Sequence, residues 1–451
     1  MGGALEKQKK AFYNKGMSIP IVSIIVYCSC LALLLVKSRL APAASFNKDA
    51  MTHEATKNLK GLAAIGVICH HLSQPPANGG PMDALGQMQL FREIGFLFVA
   101  IFFFVSGYGL FKSLQTKPGY LNGFFRRRVL PIVVCFYIMN LFYIAFHLVL
   151  GTKMDASEWV CKATGIALLN DNAWFVPAII INYLAFFIAF SKIKSGRLSF
   201  AFVFLAIALQ VGFFLFNKHF PWWLGERGWW KNGGLFSCPW YKKPVALWFE
   251  GEWWVNSTIA FFVGMIVARH EEKVFEFFTR AWAIKFAASL LLLSASFELR
   301  AFVQSKGIHY WLEFSGDNST PPRAIMLCVE TFQVLAWLLF VYVFRMRLWS
   351  QNRALEFWGS HSLEFYLMQA LPLRAFSILF GWTDKSFRPR EPLELSGYAG
   401  QLKALGYLLL VLASTMLLGI AVKFLTKKIC GLLDVSKRSA AAKSFFDGEK
   451  N

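Results

Sequence analysis

Lys60 and His71 stand eleven residues apart in the stretch KGLAAIGVICHH. On an α-helix that step turns about 1100°, back to within roughly 20° of the same face, and rises about 16 Å. A cation and an imidazole would then share one stripe about half a bilayer apart, while His70 lies about 100° around the helix. Gly61, Ala63, Ala64 and Gly66 intervene, and such small residues let a helix pack closely and leave a narrow polar path. A neutral imidazole at that depth can take a proton from a hydroxyl near pH 7, which makes His71 the candidate general base and Lys60 its same-face partner. A structural histidine, satisfied by a hydrogen bond between helices, would leave the same trace in the sequence.

A second group is FFRRRVLP, Phe124 to Pro131. The guanidinium forks of Arg126, Arg127 and Arg128 suit bidentate phosphate binding, and the triplet would equally serve as a membrane anchor or a site for anionic lipid. Ser106 lies in the aromatic run FFFVSGYGL, where it could line a cavity beside Gly107. Trp174 opens a helix in NAWFVPA, and Glu364 sits in GSHSLEFYLMQ, a carboxylate too costly to face lipid. The eight cysteines show no metal-ligand spacing, so no metal is expected; Cys161 and Cys238 could pair in an oxidising compartment.

These residues need a membrane-embedded frame to position them. Of the 451 residues 56% are hydrophobic and 16% charged, with 47 Phe and 16 Trp, a membrane composition. Apolar segments near the length of a spanning helix recur without strand-like alternation, which predicts an all-α, polytopic helical bundle. Eleven helices are expected, at roughly 18–36, 57–75, 94–115, 129–150, 172–191, 198–217, 254–270, 281–299, 325–345, 357–380 and 404–426. The second is short and charged, so it should be walled in by other helices.

The net charge of +21 is spread between apolar segments instead of forming a stripe, which argues against nucleic acid and for a positive-inside topology. With Lys60 cytoplasmic, Lys112, Arg126 to Arg128, Arg269, Arg345 and the residues after Lys423 fall on the same side, giving ten core helices with both ends inside. The segment 18–36 is then an extra, because four lysines before it favour a cytoplasmic start while the helix count places that start outside. Residues 1–56 read as a tail with this extra segment, 57–430 as the membrane domain, and 431–451 as a basic polar tail. Eight tryptophans between 222 and 254 suggest an interfacial belt or stacking faces for a sugar.

Taken in order, the stretches resemble the acyltransferase 3 family of integral membrane acyltransferases, over about 57–426. Lys60 and His71 match its Arg/Lys, ten residues, His pattern. FFFVSGYGL, FFRRRVLP, AWFVPA and SLEFYLMQ resemble its later motifs. Two positions depart: Lys60 stands where Arg is commoner, and Gln369 where many members have His. The resemblance implies transfer of an acyl group, most often acetyl from acetyl-CoA, to a hydroxyl of a saccharide or related acceptor across the plasma (inner) membrane. It also implies His71 as essential base or acyl relay, Lys60 as its partner, Arg126 and Arg128 as donor-phosphate contacts, and Trp174 as a pocket residue. The rival reading is a proton-coupled transporter using His71 and Glu364, for which an inverted repeat would be expected.

Overall fold

The computed structural model describes residues 21–42, 45–74, 88–154, 156–165, 168–216, 255–308, 320–350, 352–386 and 397–433. The tryptophan-rich segment and Cys238 lie outside the described residues. Among the described residues six helices are long and apolar enough to cross a membrane: Gln89–Thr116, Phe125–Leu150, Asn172–Lys192, Trp282–Ser305, Pro321–Arg345 and Ala399–Leu432. Ile21–Leu35, Gly196–Gly212 and Ile259–Arg269 are apolar but shorter. Leu141, Val149, Leu209, Leu291 and Leu417 are exposed on these helices, an outward face that suits lipid tails. The chain is an all-α integral membrane bundle.

The helix α1 (Ile21–Leu35) is built into that bundle. Ile21 N–H donates to Gln401 Oε1 (2.9 Å) and Ser23 Oγ accepts from Met88 N–H (2.7 Å). At the other end Asn352 Nδ2 donates to Leu33 O (2.5 Å). Tyr27 stacks on Phe91 at 5.5 Å. Just after α1, strand β1 (Ser38–Leu40) pairs antiparallel with β2 (Leu348–Ser350), Ser38 opposite Ser350. Asn47 Nδ2 reinforces the pair by donating to Leu348 O (2.9 Å).

Helix α2 (His53–Leu72) carries the opening stretch, with the Thr52 side chain capping its first turn by accepting from Ala55 N–H. From Gly61 to Leu72 only Leu62 and His70 are not fully buried, as a charged and short segment requires. It packs between α3 (Gln89–Thr116) and α12 (Arg353–Ser360). Glycine sets the second contact: a Cβ on Gly61 would lie 2.0 Å from Leu355 O, and one on Gly359 1.8 Å from Lys57 O. The backbones of α2 and α12 therefore touch, and no larger residue fits either position.

Among the remaining helices, α4 (Leu130–Leu150) follows a π-helical turn, Phe125–Val129, and α5 (Ala156–Ala163) is short. The pair α6 (Phe175–Lys192) and α7 (Gly196–Phe216) packs together. Helix α8 (Ile259–Arg269) meets α3 backbone to backbone, since a Cβ on Gly107 would lie 1.9 Å from Phe261 O. Then come α9 (Glu271–Thr279), α10 (Trp282–Ser305) and α11 (Thr320–Arg345).

The segment predicted as one helix over 357–380 is three: α12, α13 (Ser362–Met368) and α14 (Ala370–Leu379). At the first break the Gly359-Ser360 pair loosens the helix, and both Ser360 Oγ (2.9 Å) and His361 Nδ1 (2.8 Å) bond Phe357 O. At the second, Pro372 cannot donate to Met368 O and its ring crowds that carbonyl. The last helix, α15 (Gly397–Leu432), packs along α4 and α13.

Candidate active site

The candidate site has two polar ends, one at each end of the buried face of α2. At the Lys60 end, the charged neighbours of Lys60 are Lys423 on α15, Lys57, Glu364 on α13 and Arg128 in the π-turn. Four elements thus bring their charges together around one carboxylate, and Glu364 is 9% exposed. Lys423 also donates to Ser360 O, which ties α15 to the α12–α13 break. An intramembrane cation needs such partners, and Glu364 lies within reach of both lysines.

The arginine triplet lies beside this cluster. In its π-turn Arg127 Nη2 donates to Tyr120 O and Asn122 O, both at 2.6 Å, and Arg128 Nε donates to Tyr120 Oη at 2.8 Å. Both guanidinium groups lie over the Tyr120 ring, at 6.0 and 5.6 Å. A cleft of about 590 Å³ opens there, lined by Lys117, Pro118, Gly119, Tyr120, Arg127 and Arg128. Arg126 is exposed on the same turn and does not line the cleft. Its basic lining suits phosphate groups, and the wide π-turn fans consecutive arginines into different directions.

Ser106 joins this end from α3 beside the Tyr183 hydroxyl, and Arg128 and Tyr120 are charge neighbours of that hydroxyl. Tyr108 and Lys112, further along α3, both bond Glu271 at 2.5 Å and close the bundle on that side.

At the other end His71 is 6% exposed, and its Nδ1 has no hydrogen-bond partner. The Gln369 side chain at the α13–α14 break lies beside it. Gln369 is fully buried; its Nε2 donates to Tyr366 O (3.1 Å) and its Oε1 has no partner. His70 differs in every respect that matters for chemistry. Its Nδ1 bonds Phe91 O (3.0 Å), its Nε2 bonds Gln74 Nε2 (3.0 Å), and its ring fills the space a Cβ on Gly95 would occupy. His70 is a satisfied structural histidine, whereas His71 keeps a ring nitrogen in reserve.

Trp174 ends the 3₁₀ turn Asp171–Trp174 and reaches this end indirectly. Phe175 packs on Trp174 (6.4 Å), Phe103 (4.9 Å) and Tyr366 (5.8 Å), and the Tyr366 hydroxyl donates to Asn172 O. Helix α13 therefore ties the two ends together, with Glu364 beside Lys60 and Gln369 beside His71. The structure brings Lys60, Glu364 and Arg128 into one cluster, with Ser106 adjoining it through Tyr183. It holds His71 and Trp174 at the opposite end and leaves Arg126 at the rim.

Lys423, Tyr120 and Gln369 complete the site, although sequence reasoning gave none of them a role there. Lys423 could have been found as a cation within an apolar helix, the rule that singled out Glu364. Tyr120 carries no such signal. Among the described residues no group of His, Cys, Asp and Glu could hold a metal ion.

A helical membrane protein with a buried histidine at one end of a helix and a basic cleft near the other is the class these observations define. A sequence model described as an acyltransferase domain matches residues 55–423, and the chain belongs to the acyltransferase 3 family. It is a membrane acyltransferase. No curated protein and no solved structure matches the chain.

Proposed function

We propose that the protein transfers an acetyl group from cytoplasmic acetyl-CoA to a hydroxyl of a saccharide or glycan acceptor at the outer face of the plasma (inner) membrane. The observation that carries this reading is the arrangement of the two ends: a cleft lined by Arg127, Arg128 and Lys117, next to the Lys60 cluster, and a buried His71 about 16 Å further along α2. The basic connections that the positive-inside rule assigns to the cytoplasm lie at the Lys60 end, where Arg345 donates to Ala50 O (3.0 Å) and Ala55 O (2.9 Å).

Arg127, Arg128 and Lys117 bind the phosphates of CoA at the cleft. Lys60 and Lys423, held near Glu364, keep that end cationic. His71 takes the proton of the acceptor hydroxyl as its oxygen attacks the thioester carbonyl. The C–S bond breaks as the C–O ester bond forms, and the proton ends on the CoA thiolate. Burial around His71 limits hydrolysis by water. Gln369, beside the ring, offers no second ionisable group.

The test is acyl transfer from radiolabelled acetyl-CoA in membrane vesicles. His71→Ala is expected to abolish transfer while the protein stays folded and membrane-inserted. Full activity in a well-folded His71→Ala protein would sink the mechanism.

A further inference from the structure

A second buried polar cluster lies at the His71 end, outside the site just described. Arg300 on α10 donates through Nη1 to Glu93 O (2.6 Å), and its Nη2 lies 3.3 Å from Glu93 Oε2 and 3.8 Å from Glu330 Oε1. Asn256 Nδ2 donates to Glu330 Oε2 (3.0 Å), and Ser257 Oγ bonds both Asn256 Oδ1 (2.8 Å) and Phe96 O (3.0 Å). Glu330, fully buried, shares one stripe of α11 with Gln333 and Trp337, three and seven residues on. Gln333 is also fully buried, yet neither its Oε1 nor its Nε2 has a partner, and Trp337 Nε1 and Arg300 Nε are likewise unpartnered.

Buried polar atoms are almost always paired, so four unpaired atoms converging here ask for a ligand rich in donors and acceptors. Depth along the bundle links the cluster to His71. The Trp337 ring meets Phe98 at 6.3 Å, and Phe98 fills the hollow left by Gly66 on α2. His71 lies five residues beyond Gly66, about 7.5 Å toward its end of the bundle. Gln333 and Glu330 lie four and seven residues from Trp337 in the same direction, about 6 and 10 Å. Both groups therefore sit at similar depth, and Arg300 is a charge neighbour of His70.

We infer that Gln333, Glu330, Arg300 and Trp337 form the acceptor subsite, which binds a polyhydroxylated, saccharide-type acceptor and presents one of its hydroxyls toward His71. A glutamine amide both donates to and accepts from hydroxyls, the Arg300–Glu330 pair does the same with charge, and an indole N–H adds a donor beside an aromatic face. The inference rests on the acyl-transfer reading above.

The test uses the full-length protein in vesicles from its source cells, given radiolabelled acetyl-CoA. Alkali-labile label in the saccharide fraction is read beside binding of a non-hydrolysable acetyl-CoA analogue. Gln333→Leu removes an unpaired buried amide at nearly constant volume, which should not weaken the fold. The expected result is at least a tenfold loss of label on the acceptor, with analogue affinity within twofold and an unchanged or higher melting temperature. Unchanged labelling overturns the subsite and leaves the acyl-transfer reading intact. Loss of analogue binding along with labelling makes Gln333 structural and also overturns it. Failure of the unaltered protein to label anything counts against acyl transfer itself, and the subsite falls with it.

Discussion

Gln369 lies beside His71 at the break between α13 and α14, so the polar side chain next to the buried imidazole is one that cannot titrate. Replacing Gln369 by Leu should lower the turnover number about tenfold with little change in donor KM, because His71 would lose its polar neighbour but not its proton chemistry. Gln369→His should stay active and gain a second ionisation on the acid limb of its pH–rate profile. As pH falls, the added imidazole takes up a proton and its charge opposes protonation of His71, so His71 stays in its free-base form to lower pH and the acid limb shifts downward relative to the natural protein. Steady-state kinetics across pH separate the two variants.

His70 is expected to matter for the fold instead. His70→Ala removes the bond to Phe91 O and empties the space against Gly95. A loss of about 1–3 kcal/mol follows from an unpaired carbonyl and a new void. Thermal denaturation in detergent should show it, while residual protein at low temperature still turns over.

The arginine triplet should divide by position. Arg128→Ala and Arg127→Ala are expected to weaken binding of an acetyl-CoA analogue about tenfold, and Arg126→Ala by less than twofold, since Arg126 does not line the cleft. Titration of purified protein measures this directly. Equal effects at all three positions would reduce the triplet to a general positive field.

Glycine substitutions give a sharp structural contrast. Gly359→Ala drives a Cβ to 1.8 Å from Lys57 O, and backbone on both sides cannot yield, so folded protein should be lost. Gly109→Ala meets nothing within 4 Å and should be silent or stabilising by up to about 1 kcal/mol. Yield of monodisperse protein after solubilisation reads both.

Much of the candidate site was legible because membranes make polar residues conspicuous. Helical periodicity alone separated His71 from His70, and the cost of a carboxylate in lipid pointed to Glu364. Continuous helices were harder to judge: Pro372 and the Gly359-Ser360 pair carried the signal for the two breaks, yet the apolar run around them reads as one span. The same cost argument applied to Glu330 and Gln333 would have raised the second cluster. What periodicity could not supply was the partnering of distant segments, such as Lys423 with Glu364 or Tyr120 with Arg128. These depend on three-dimensional packing between elements that share no local pattern.

The pairing of Ser38 with Ser350 has a consequence for biogenesis. The first hydrophobic helix is threaded into the membrane early in synthesis, but the strand that locks its inner end is translated only after most of the bundle. Until then α1 has neither the Asn352 contact to Leu33 nor its sheet partner. Closing a loop of some three hundred residues is slow compared with local helix formation. The nascent bundle thus waits with its first helix held only through Met88 and Phe91, and arrest of synthesis before residue 350 should leave the segment that follows this helix open to proteases, a window that closes when the two strands meet.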